Sequence, residues 1–174
     1  MSSAKTKTIR RARRSHWMMA AAIALAGSPA PAQAGNDDDS FQVTATVLAA
    51  CEIVAQDLAF GDYDPIAASN LDAASTLSLT CTNGTPYELS MSLGTGPGAT
   101  PAARYMLNGS DPLAYVLYRN AGRTQLWGQS AGSDTLAGTG TGAPVTIDVF
   151  GRIPMQQAVP AGAYEDTLTV TVTW

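Results

Sequence analysis

The segment 166-DTLTVTVTW-174 alternates polar and apolar residues without a break from its second residue to its last. Strict alternation of this length is typical of a β-strand that buries one face. One side of the strand then carries four apolar residues, Leu168, Val170, Val172 and Trp174. The run has no charged residue, although natural proteins usually place charges on an exposed strand edge. We therefore expect this edge to be covered, either by a neighbouring strand of its own sheet or by another molecule.

The same alternation recurs upstream and predicts an all-β protein. Helical periodicity is almost absent, and the strand-like segments are separated by turns rich in Gly, Pro and Asn, of which Asn83-Gly84 is a strong example. This order predicts an antiparallel β-sandwich. The predicted strands, besides the last one, are Phe41–Val47, Ser75–Thr82, Tyr87–Leu93, Leu113–Arg119 and Pro144–Ile153.

Residues 1–34 are typical of a secretory signal peptide rather than of a folded domain. A basic start precedes the apolar run Trp17–Gly27, and Ala32-Gln33-Ala34 offers a small-x-small cleavage site. The alternative is a membrane anchor, but the apolar run is too short to span roughly 30 Å of hydrocarbon. We expect cleavage before Gly35 and export by the general secretory route in preference to the twin-arginine route.

The mature chain is strongly acidic. Residues 35–174 contain four arginines, fourteen acidic residues, no lysine and no histidine, so the formal charge is 4 − 14 = −10. Such a chain repels the phosphate backbone, which argues against nucleic-acid binding. The Gly-rich stretches Gly94–Pro101 and Ala137–Pro144 lack the lysine and the following helix of a phosphate loop, and we interpret them as loops.

Two cysteines remain after cleavage, Cys51 and Cys81. A secreted chain with two cysteines usually pairs them, and the alternative is two free buried thiols. The spacing is too long for a CxxC redox site, and a zinc site would lack histidine ligands.

Patterns for catalysis and metal binding are weak. Without histidine or lysine the mature chain lacks the commonest general bases and Schiff-base nucleophiles. A carboxylate pair of the glycosidase type has four candidates in turns and at strand ends, Asp62, Asp64, Glu165 and Asp166. The run Asp37–Asp39 lacks the ligand spacing of a calcium loop. We expect no enzymatic activity, no cofactor and no metal site.

The chain resembles the spore coat protein U domain family, the subunits of archaic chaperone–usher pili. The likeness extends from about Phe41 to Trp174, and it depends on the order and spacing of several motifs more than on any one of them. These motifs are ATVLAACEI around Cys51, LAFGDYDP (Leu58–Pro65), LSLTCTNGTPYELSMSLG around Cys81, ARYMLNG (Ala103–Gly109), LAYVLYRNAGRTQLWG (Leu113–Gly128) and VFGRIPMQQAVPAGAYEDTLTVTVTW (Val149–Trp174).

The resemblance implies an incomplete immunoglobulin-like β-sandwich that lacks its last strand. In such pilins the N-terminal extension of the next subunit supplies the strand, and a periplasmic chaperone lends one until exchange at an outer-membrane usher. Main-chain hydrogen bonds give such a complex its strength, while alternate side chains fill pockets. Leu168, Val170, Val172 and Trp174 are then expected to border the acceptor groove.

The candidate donor strand is FQVTATV, residues 41–47. Its inward-pointing side chains would be those of Phe41, Val43, Ala45 and Val47. The alternative is that this segment stays as the first strand of its own domain. We divide the chain accordingly into a signal peptide (1–34), an N-terminal extension with the candidate donor strand (35–48) and a pilin sandwich (49–174).

From these features we expect a structural subunit of a secreted pilus at the cell surface. Subunits would join head to tail by donor-strand exchange and support adhesion and biofilm formation, with other pilin subunits, a chaperone and an usher as partners. The main alternative is a self-complemented monomeric adhesin or coat protein of the same fold. A carbohydrate-active enzyme is the weaker alternative, because the mature chain has no histidine.

Overall fold

The alternating segments form β-strands in the computed structural model, which describes residues 34–174. The predicted signal peptide, apart from Ala34, lies outside the described residues. No helix occurs within residues 34–174, so none there is long and apolar enough to cross a membrane. The strands are β1 (Cys51–Ala55), β2 (Leu71–Cys81), β3 (Pro86–Met91), β4 (Arg104–Asn108), β5 (Asp111–Tyr118), β6 (Leu136–Thr139), β7 (Val145–Ile153) and β8 (Val170–Thr173).

The strands form two antiparallel sheets. The larger sheet has the order β1-β2-β7-β5-β4 and the smaller has the order β6-β3-β8. An immunoglobulin sandwich has strands A, B, E and D in one sheet and C, F and G in the other. Here β1-β2-β7-β5 follow the order A-B-E-D, and β3 and β8 correspond to C and F. Within residues 34–174 no strand occupies the position of G beside β8, so the predicted incomplete immunoglobulin-like sandwich is confirmed.

The chain divides into two units, Met1–Val43 and Thr44–Trp174. The described part of the first unit, residues 34–43, is exposed and forms no strand. The second unit contains all eight strands.

The core lies between the two sheets, where alternate side chains of facing strands meet. In β2 the buried positions are every second residue, and the residues between them are exposed or half-buried. β7 shows the same alternation along nine residues. β5, which lies between β4 and β7 in the larger sheet, is buried on three consecutive positions, Tyr115 to Leu117. The fully enclosed apolar residues include Leu79, Leu89, Leu117, Trp127 and Ile153.

Three observed strands are absent from the sequence-based prediction, and each has a physical reason. β1 and β6 are short, with five and four residues, so they show little periodicity. β4 begins with Arg104, a charged residue that local patterns place on the surface. The last strand is shorter than predicted, because regular pairing with β3 begins only at Val170. The predicted strand at residues 41–47 forms no strand in this structure.

The two ends of the sandwich differ in composition. We call one the disulfide end, because Cys51 lies opposite Cys81 there, and it also includes residues 48–50, 82–86, 140–144 and 173–174. The opposite end, the loop end, includes the β1–β2 connection (residues 56–70) and the β7–β8 connection (residues 154–169). β8 runs from the loop end to the disulfide end, since Val170 pairs with Met91 and Thr173 with Glu88.

Candidate functional site

Two strand edges lie open on the same side of the sandwich. β8 is the terminal strand of the smaller sheet and β1 is the terminal strand of the larger one. Backbones of the two strands approach to within 8 Å between Cα atoms. Among residues 34–174 nothing pairs with the outer edge of either strand. Their unused N–H and C=O groups can accept an added strand.

The side chains around β8 alternate as their sequence suggests. Leu168, Val170 and Val172 are half-buried and pack against the core, and the intervening threonines are exposed. Trp174, predicted at the same face, remains 55% exposed and does not line the cleft described below.

A cleft opens where β1 and β8 diverge toward the loop end. Its volume is about 410 Å³. Its walls come from the end of β1, from the middle of β2, from the chain that precedes β8, and from core side chains that would be covered in a complete sandwich. The apolar lining residues include Leu58, Phe60, Leu77, Met91, Met106, Leu117, Val149, Leu168 and Val170. An apolar cleft beside an unpaired edge can receive alternate side chains of an extended peptide.

Asp166 closes the wall of this cleft by joining three segments. Its Oδ1 accepts hydrogen bonds from the backbone N–H and the hydroxyl of Thr95, both at 2.8 Å, and its Oδ2 accepts one from the Tyr115 hydroxyl at 2.6 Å. The backbone of Gly94 has a positive φ of 84°, and a Cβ there would collide with the Asp166 carboxylate. Burial, together with the hydrogen bond to Asp166, raises the pKa of Tyr115 well above its usual value, so the hydroxyl stays protonated and donates.

Replacing Asp166 with alanine is expected to loosen the cleft wall. The change leaves the Thr95 N–H and the Tyr115 hydroxyl without their acceptor, which costs about 2–3 kcal/mol. Hydrogen exchange followed by mass spectrometry should show faster exchange in residues 94–100 and 164–169. Glu165→Ala is the matched control, because Glu165 is exposed and holds its place through backbone bonds to Leu107. Equal exchange in both variants would contradict this role of Asp166.

Arg104 is a buried cation that joins the two sheets behind the cleft. It is 0% exposed, and its guanidinium donates to four backbone carbonyls. The acceptors are the oxygens of Met91 and Ser92 at the end of β3, of Pro101 before β4, and of Trp127 at 2.6 Å. Burial lowers the pKa of Arg104 from its usual high value. The sequence analysis missed this residue, because it predicted no strand at Arg104–Asn108 and a charged side chain is ordinarily expected on the surface.

The predicted disulfide is present and joins β1 to β2 directly across the sheet. β1 has no other hydrogen-bonded neighbour within residues 34–174. The disulfide therefore fixes β1, one of the two strands with an open edge, to β2.

The candidate acidic residues have local structural roles. Asp64 accepts a hydrogen bond from the backbone N–H of Ile66 in a turn, and Asp166 acts as described above. Asp62 and the run Asp37–Asp39 are exposed. Within the described residues, no group of three or more His, Cys, Asp and Glu side chains is arranged to hold a metal ion.

The candidate donor segment presents its apolar side chains to solvent. Phe41, Val43 and Val47 are 88%, 81% and 82% exposed. The described chain forms its first strand only at Cys51.

Comparisons with known proteins agree with this architecture. Residues 37–171 match the model of the Spore Coat Protein U domain. Protein U of Myxococcus xanthus is 35% identical over 159 residues, which cover 83% of this chain and 88% of that protein. Among solved structures, a chain of the CsuC–CsuE chaperone–tip adhesion subunit pre-assembly complex, from archaic chaperone–usher Csu pili of Acinetobacter baumannii, aligns with a TM-score of 0.54 and 27% identity. That alignment covers 74% of this chain and 41% of the other.

The family match spans most of the chain. Residues 37–171 include both cysteines of the disulfide, all residues that line the cleft and the first two residues of β8. From the match to the family model and the identity to Protein U, this chain belongs to the Spore Coat Protein U domain family.

Proposed function

We propose that this protein is a structural subunit of an archaic chaperone–usher pilus that polymerises by donor-strand exchange. The observation that carries the proposal is the unpaired outer edge of β8 beside an apolar cleft of about 410 Å³. A strand added there completes the position of strand G and covers the half-buried side chains of Leu168, Val170 and Val172.

The donor in this proposal is residues 41–47 of a neighbouring subunit. Phe41, Val43, Ala45 and Val47 share one face of an extended strand, and Phe41, Val43 and Val47 are highly exposed. Burying Phe41 and the two valines contributes about 1.5–3 kcal/mol per side chain. Because the groove and the donor lie on different parts of one chain, each added subunit offers a new groove, and this head-to-tail geometry generates a filament.

The same open edge explains the partners that we propose. Before assembly an exposed uncharged edge with an apolar cleft is prone to pair with other chains, and a periplasmic chaperone strand is its natural temporary cover. Exchange would occur at an outer-membrane usher, and the filament would extend from the cell surface and support adhesion and biofilm formation. The relative from Acinetobacter is itself described as a chaperone–adhesion subunit complex, which supports a chaperone partner here.

We also infer that the protein has no catalytic role. The mature chain contains no histidine or lysine, and the Asp64 and Asp166 carboxylates serve as hydrogen-bond acceptors for the chain itself.

Val43→Arg is expected to block assembly. The substitution drives a charged side chain toward an apolar groove, and a cost of about 3 kcal/mol lowers the association constant roughly hundredfold. The mature chain, released from its chaperone complex, is examined by size exclusion and electron microscopy for fibres. Thr44→Arg is the matched control, because Thr44 lies on the opposite face of the same strand and its side chain stays in solvent.

Fibres from Val43→Arg equal to those of the wild type would remove this segment from the donor role. A variant without residues 35–47 should remain monomeric. If the full mature chain is also strictly monomeric at high concentration, the self-complemented monomer replaces the pilus subunit as the function.

A further inference from the structure

Exposed apolar side chains occur at both ends of the sandwich. At the loop end, Ile66 is 86% exposed and Met155 is 46% exposed. The backbone of Met155 is held near the β1–β2 connection, because its N–H donates to Asn70, and Tyr63 donates to the carbonyl of Pro154. At the disulfide end, Leu48 and Trp174 are exposed. These side chains belong neither to the core nor to the cleft lining.

The direction of β8 determines where a donor chain must leave the groove. β8 runs from the loop end to the disulfide end, and every strand pair of the sandwich is antiparallel. A donor that pairs with β8 in the same antiparallel manner runs toward the loop end. The residues that follow the donor strand therefore emerge at the loop end of the acceptor.

The connector between donor strand and donor domain is short. Only Leu48, Ala49 and Ala50 separate Val47 from the start of β1. At about 3.3–3.6 Å per residue, four steps reach roughly 14 Å at most. The connector is also fastened to its own domain, because the Thr82 N–H donates to the Ala50 carbonyl at 2.9 Å and the Thr82 hydroxyl donates to the Leu48 carbonyl at 3.3 Å.

We propose that the loop end of one subunit is the docking surface for the disulfide end of a second copy. The proposal rests on donor-strand exchange, since the short connector brings the two ends together. Ile66 and Met155 of the acceptor then pack against Leu48 and Trp174 of the donor. The contact gives these four apolar side chains a shared burial site and limits the angle between successive subunits.

Charge favours contact at these two ends. Each mature chain carries a formal charge of −10, so copies repel one another over most of their surface. The disulfide end contains no charged side chain. At the loop end residues 154–164 are uncharged, whereas the β1–β2 connection carries Asp57, Asp62 and Asp64 and the β7–β8 connection carries Glu165 and Asp166. Because the disulfide end is uncharged, it can approach the acidic loop end of a second copy without placing like charges opposite each other.

Engineered cysteines next to these residues test the contact without removing it. A double variant carries Ala68→Cys beside Ile66 and Thr173→Cys beside Trp174, both at exposed positions. In assembled fibres under mild oxidation we expect a covalent ladder on non-reducing gels. It should form at least about a hundredfold faster than in the same variant lacking residues 35–47, because neighbours are held at millimolar effective concentration. Adding Ile66→Asp should slow the reaction.

The matched control pairs Thr173→Cys with Ser78→Cys, which is exposed midway along β2 on the outer face of the larger sheet. A ladder from the test pair and none from the control supports the end-to-end contact. Fibres without a ladder from the test pair overturn this contact and leave donor-strand exchange intact. Absence of any assembly, together with no effect of Val43→Arg, overturns both proposals.

Discussion

Arg104→Met lowers the free energy of unfolding by about 3–5 kcal/mol in our expectation, a large share of the roughly 5–15 kcal/mol that stabilises a typical domain. Methionine retains most of the apolar stem but donates no hydrogen bond. Four backbone carbonyls around residue 104 then lose their donor, two of them at the end of β3 and one at Trp127. Each buried acceptor that is left without a partner costs about 1–3 kcal/mol, partly recovered by relaxation.

Urea unfolding of purified residues 35–174 measures this effect. The urea concentration at the midpoint of unfolding should fall, while the slope of the unfolding free energy against urea concentration stays the same. Arg104→Lys should lie between wild type and Arg104→Met, because lysine keeps the charge but cannot reproduce the planar arrangement of five donors. Arg152→Met is the matched control, since Arg152 is paired with Asp72 on the outer face of the sheet with about a third of each side chain exposed. Such a pair contributes about 0–1 kcal/mol. An equal loss in the Arg104 and Arg152 variants would contradict the role assigned to Arg104.

Removal of the disulfide by Cys51→Ala with Cys81→Ala is expected to cost about 3–4 kcal/mol, because the bond closes a loop over a sequence separation of 30 residues. The loss of stability should be concentrated at β1. This strand lies at the edge of the larger sheet, and in the described chain β2 is its one hydrogen-bonded neighbour. Amides of residues 51–55 should therefore lose protection before those of β7. Assembly should weaken as well, since β1 borders the open edge.

The measurement combines urea unfolding with hydrogen exchange of the same double variant. Ser78→Ala serves as the control, because Ser78 lies on the same strand with its side chain in solvent. If the amides of β1 exchange as slowly in the double variant as in the wild type, hydrogen bonding to β2 is sufficient to keep β1 in place without the disulfide.

Much of the fold follows from local pattern. The alternation around Leu77 and Leu79, around Leu89 and Met91, and along β7 predicted strands that the structure contains. The disulfide was also predictable, because two cysteines in a chain that is predicted to be exported are expected to pair. The strand predicted at residues 41–47 shows the limit of this reasoning. Alternation describes a segment that can pair, and at residues 41–47 the described chain forms no strand.

The cleft could not be predicted in the same way. Asp166 meets Thr95 across 71 residues and Tyr115 across 51, and Arg104 reaches Trp127 across 23. Such contacts depend on how two sheets pack, and no local period encodes them. The sequence suggested only that Asp166 lies beside a strand end, whereas the structure makes it the acceptor that joins three segments at the cleft.

The amino-acid sequence by itself determined the all-β fold class, the cysteine pair and the apolar face of the last strand. A period of two is a local property of the chain, and two cysteines in a chain predicted to be exported are expected to pair. Tertiary structure alone decided that the outer edges of β1 and β8 face the same side, that a cleft opens between them, and that Trp174 stays exposed outside its lining. The physical reason is that an edge is a property of strand order. A strand becomes an edge only when the other strands have taken their places in the sheet.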